Sequence, residues 1–138
     1  MDIKKFAVSP TSRLHFQDSK DELMYADGDT SKPMAANVYG PGSKQYARAQ
    51  AAQQNRIIDK LKKKGKTDET EAEKREQQAE FLAACTESFE NVGYGEPSLE
   101  GAALFRAVYA DVEIGFIAEQ VGKYLGDWGN FTKVSTKT

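Results

Sequence analysis

Asp111-Val112-Glu113-Ile114-Gly115-Phe116-Ile117-Ala118-Glu119-Gln120-Val121-Gly122-Lys123-Tyr124-Leu125-Gly126-Asp127-Trp128 is the stretch on which the fold class turns. Ile114, Ile117, Val121, Tyr124 or Leu125, and Trp128 recur at intervals of three and four, the period that lines side chains along one face of an α-helix. Asp111 stands in front of the run as a cap for an orphan amide of the first turn. Gly126, Gly129 and Asn130 end the run before Phe131. No other segment of the chain is as periodic. Aromatics at helical spacing are more often core than an exposed recognition patch, so Trp128, Phe131, Phe116 and Tyr124 are read as core.

Working back from that helix, Ser98 can cap another that bears Leu99, Ala102, Ala103, Leu104, Phe105, Val108 and Tyr109. The loop Asn91-Val92-Gly93-Tyr94-Gly95-Glu96-Pro97 precedes it. Further upstream, Thr70 and Glu73 have capping-box spacing, and Asp68, Glu69, Glu71 and Glu73 put carboxylates where a helix starts. That helix is expected to reach about Phe89, with Ala79, Phe81, Leu82, Cys85 and Phe89 packed in its later turns. Before it, Ser43 can cap a helix from Lys44 to Lys64, whose thin apolar stripe is Ala47, Ala51, Ile58 and Leu61. Lys60, Lys62, Lys63 and Lys64 oppose the negative end of its dipole, and Gly65 supplies a left-handed stop and a hinge.

The first forty residues alternate differently. Phe6 and Val8, then Leu14 and Phe16, alternate with polar neighbours across Ser9-Pro10-Thr11-Ser12, which predicts a hairpin. A second pair is expected from Leu23-Met24-Tyr25-Ala26 and Asn37-Val38-Tyr39 around Asp27-Gly28-Asp29. The predicted architecture is α+β and predominantly α. A β-rich region spans residues 1–42, about four helices span 43–131, and 132–138 form a loose tail, all in one compact domain.

Composition excludes several function classes. The 138 residues carry 19 basic against 21 acidic side chains and a formal charge of −2, so no global field selects nucleic acid or an anionic membrane. Mean hydropathy is −0.66, and no stretch approaches the roughly 18 apolar residues of a membrane span. Cys85 is the single cysteine, and Met1-Asp2-Ile3-Lys4-Lys5 leads into no apolar run of signal-peptide length, so a reducing cytoplasm is expected. The one histidine, His15, sits on the polar side of a predicted strand. Neither it nor Cys85 lies in a metal-ligand spacing. Cys85 reads as a buried, inert thiol. Gly40-Pro41-Gly42-Ser43 precedes a helix as phosphate loops do, but it lacks the Gly-Lys-Ser/Thr pattern and its proline removes an amide donor. The basic run from Arg56 to Lys66 is read as dipole complement rather than phosphate contact. No catalytic set, cofactor site or metal site emerges; acid/base chemistry on the plentiful carboxylates, in a small enzyme, stays open as a third reading, and the residues by themselves point to a helical protein-binding module.

The order of certain motifs goes further. Ala79-Glu80-Phe81-Leu82-Ala83-Ala84-Cys85-Thr86 is followed by Tyr94-Gly95-Glu96, Val108-Tyr109-Ala110-Asp111, Gly115-Phe116-Ile117-Ala118-Glu119-Gln120-Val121 and Asp127-Trp128-Gly129-Asn130-Phe131. Together these resemble a tail assembly chaperone of long-tailed siphophages. Val38-Tyr39-Gly40-Pro41-Gly42-Ser43-Lys44-Gln45-Tyr46 is similar to the segment that leads such proteins from an extended N-terminal part into their helices. The resemblance implies a protein that is not an enzyme and has no cofactor. It would coat the hydrophobic tape measure protein in the host cytoplasm and help recruit tail tube subunits, without nucleic acid or membrane as partner. Self-association is a further expectation. The candidate core or protein-interaction residues are Phe81, Leu82, Phe89, Ile117, Val121, Trp128 and Phe131, with client contacts expected at the mobile helix pair around Gly65 or at Phe131. The alternative is a permanent structural component of a phage tail or head-tail junction.

Overall fold

A computed structural model describes residues 2–64 and 70–133. The expected stop and hinge at Gly65, the carboxylates Asp68 and Glu69, and most of the C-terminal tail lie outside them. Among the described residues the fold is α+β and mostly helical. Its elements are β1 (Thr11–His15), β2 (Ala35–Tyr39), α1 (Lys44–Lys64), α2 (Glu71–Ala84), β3 (Thr86–Glu90), α3 (Gly101–Ala110) and α4 (Gly115–Leu125).

The three strands form one antiparallel sheet in the order β1-β2-β3. Neither expected hairpin forms. β1 pairs with β2, Leu14 opposite Ala36, and residues 3–6 instead make a 3-10 turn that leaves Phe6 exposed. Leu23 and Tyr25 make only isolated bridges to Gln17 and Pro33. The reason is that β2, with Ala35, Ala36 and Val38 fully buried, is the one segment that can be central, and it needs a partner on each side. The second partner is β3, where the sequence predicts helix. α2 stops at Ala84, and Phe89 comes opposite Ala36 in the sheet. Thr86 makes the switch: its hydroxyl donates to the Leu82 carbonyl at 2.8 Å, satisfying an orphan acceptor of the helix end. That hydroxyl has one hydrogen, so in its 2.7 Å contact with Tyr109 the tyrosine is the donor.

The period of two separates the faces of the sheet. Leu14, Ala36 and Phe89 point into the core, while Asn37 donates to Ser88 and Glu90 at 3.0 and 2.8 Å, and Arg13 pairs with Glu90 at 3.0 Å. Local caps set the helices. Ser43 accepts the Tyr46 amide, and Thr70 and Glu73 form the expected capping box. Ser98 caps nothing: it accepts the Tyr94 amide at 3.0 Å, and α3 begins three residues later at Gly101. Asp111 accepts the Glu113 amide at 2.9 Å and opens a 3-10 turn that leads into α4. Gln120 on α4 then clasps residue 17 from both sides, accepting from its amide and donating to its carbonyl at 2.8 Å each.

Candidate functional site

The seven residues singled out by sequence do not form one surface. Leu82, Ile117, Val121 and Phe131 are buried in the core, and Phe81 and Phe89 pack against it part-exposed. Phe131 is not the unpaired aromatic expected as a client contact. Its ring stacks edge-on against Tyr124 and lies where a Cβ on Gly40 would have to be, and its carbonyl accepts the Ser9 amide at 2.7 Å. Trp128 departs the other way and is 57% exposed. α4 ends at Leu125, and Asp127 accepts the Gly129 amide to start a 3-10 turn. The tighter turn swings Phe131 inward in place of Trp128.

Nothing in these positions forms a nucleophile with a base. Cys85 is fully buried, and burial pushes its thiol up to about 12. The His15 ring contacts the Met24 carbonyl at 2.9 Å and meets the Tyr25 ring edge-on. No cluster of three potential metal ligands occurs among the described residues. No helix among them is long and apolar enough to cross a membrane.

The feature that stands out is α1. Its sequence alternates an apolar stripe with a basic one, and on a core-packed helix the apolar stripe faces in. Here the faces are reversed. Near the start, Tyr46 stacks edge-on against Phe81 at 5.6 Å and Ala49 is buried. Farther along, the inward side chains are charged: Arg56 pairs with Glu80 at 3.0 Å and Lys60 with Glu73 at 2.6 Å. The Lys60 bond, with the amide and hydroxyl of Thr70, holds the Glu73 carboxyl down at about 2. With those residues inward, the 3.6 period turns Ala47, Ala51, Ile58 and Leu61 outward. Ile57, Ile58 and Leu61 are 36, 45 and 47% exposed. Lys62 stands exposed beside them, while Lys63 lines the cleft towards α2. The result is an amphipathic helix clamped by ion pairs along one side and presenting apolar side chains on the other, the geometry by which helices dock into or along partner helices.

Sequence reasoning found this stripe but not its direction, and missed Ile57. The direction depends on what α2 presents, and Glu73 and Glu80 lie over ten residues away in the chain. No protein-family model, curated protein or solved structure matches this chain.

Proposed function

We propose that the chain is a phage tail assembly chaperone that covers apolar helical segments of the tape measure protein in the host cytoplasm and helps bring tail tube subunits to it. The outward apolar stripe of α1 carries this reading. A client with long apolar helical faces aggregates unless they are covered, and a helix offering Ile57, Ile58 and Leu61 beside the exposed Lys62 can cover them without any cofactor. Each contact is small. Several copies along one client would act through avidity rather than through tight single sites. The order of motifs in residues 38–131 supports the same reading.

The test is co-expression with the cognate tape measure protein followed by a pellet assay. Wild type is expected to keep the client soluble, and Ile58→Asp with Leu61→Asp to leave it in the pellet while the variant itself stays folded. An insoluble client in every lane, with this chain stoichiometric in purified particles, would sink the reading in favour of a permanent tail or head-tail component.

A further inference from the structure

A second feature takes none of its lining residues from α1. Between residue 16 just past β1, the loop that follows β3, the end of α3 and the start of α4, a cavity of about 270 Å³ has Phe16, Val108 and Ile117 as its buried lining, and the part-exposed Met24, Met34 and Phe116 at its mouth. It is close to the lower end of the range for ligand sites and large enough for one sizeable apolar side chain. The chain has three methionines, and two of them stand here. Unbranched, polarizable methionines yield to differently shaped occupants, as they do on adaptable binding surfaces.

The rim is acidic. Tyr94 donates its hydroxyl to Asp111 at 2.7 Å, and the Glu113 amide donates to the other oxygen of the same carboxylate at 2.9 Å. Each of those oxygens keeps a free lone pair for a further donor. Phe116 is shared with an adjoining depression lined by Asp18, Asp21 and Glu119, with Lys123 as its single cation. An apolar cavity with the Asp111 carboxylate in its lining, and with Asp18, Asp21 and Glu119 in the depression beside it, favours an occupant with apolar body and positive flanks, and disfavours the charge-reversed one.

From this geometry we infer that the cavity seats one large apolar side chain of a basic protein segment, whose lysines or arginines reach Asp111 and Glu113 on one side and Asp18, Asp21 and Glu119 on the other. The inference is independent of the chaperone reading, because it uses neither α1 nor its stripe.

The test is a titration of methyl-13C-methionine protein with acetylated, amidated peptides, with the two cavity methyls assigned by Met24→Leu and Met34→Leu. The peptide KKFLKK is expected to shift both methyls. EEFLEE should bind at least about tenfold more weakly, KKSSKK should leave the methyls in place, and salt near 0.5 M should weaken KKFLKK as screening predicts. Asp111→Asn keeps the cap acceptor and the cavity wall, and is expected to cut the preference for KKFLKK over EEFLEE severalfold. Ile58→Asp with Leu61→Asp should titrate like wild type. Equal binding of KKFLKK and EEFLEE would overturn the inference, as would methyl shifts with KKSSKK, or unmoved methyls with KKFLKK at about 1 mM on protein whose spectrum is folded.

Discussion

Val121 has no exposed surface, and it sits on the face of α4 that closes the core. An aspartate there would bury an unpaired charge at a cost of several kcal/mol, comparable to the whole stability of a domain this size. Val121→Asp is expected to abolish the cooperative melt seen by circular dichroism, and an unchanged melting temperature would contradict the packing described. The Thr86–Tyr109 pair allows a finer test. Tyr109→Phe removes a donor but leaves Thr86 bonded to Leu82, whereas Thr86→Val strands the buried Tyr109 hydroxyl. Urea titrations should therefore give about 1 kcal/mol for the first and up to about 3 for the second, with the double variant less costly than the sum. Side-chain burial along α4 was readable in advance because its period is local. The Thr86 switch was not, since its meaning depends on Tyr109 and on the strand it must join.

At the scale of the element, α1 and the start of α2 read true because their determinants lie within three residues: Ser43 with Tyr46, and Thr70 with Glu73. The boundary between α2 and β3 needs β2, some fifty residues upstream, and the pairing of β1 needs it too. Partner choice of that kind leaves no local trace. The clamp between α1 and α2 gives a pH dependence of definite sign. Glu73 titrates at about 2 in the folded chain against an ordinary value of 4.5. Its contribution is therefore whole above about pH 4.5 and fades as pH falls towards about 2. Amide protection factors in the second half of α1 should fall over that window, and Glu73→Gln should show the lower protection already at neutral pH. Exposed Lys62 and Lys63 have no such role. Replacing both by Gln should change stability by under about 1 kcal/mol and leave DNA mobility at about 150 mM salt unaltered; a shift present in wild type and lost in the variant would restore a phosphate-contact reading.

Across the whole molecule, the sheet joins what the sequence divides. β1 and β2 come from the N-terminal region and β3 from among the helices, and the Gln120 clasp ties residue 17 to α4. Far-UV and near-UV signals are accordingly expected to unfold together in a single transition, and Gln120→Ala to lower its midpoint by about 1–2 kcal/mol equivalent. Two separate transitions would mean that the strands and helices fold independently. The same closure leaves α1 attached along one side only. It also has a practical side: because the one thiol of the chain is buried at the C-terminal end of α2 and pushed up to about 12, maleimide will not find it in the native protein. A cysteine placed at Leu61 or at Met34 would then be the sole point of attachment, so fluorophores can be put on the stripe or at the cavity mouth without first removing Cys85, and each surface can be watched separately as its partner arrives.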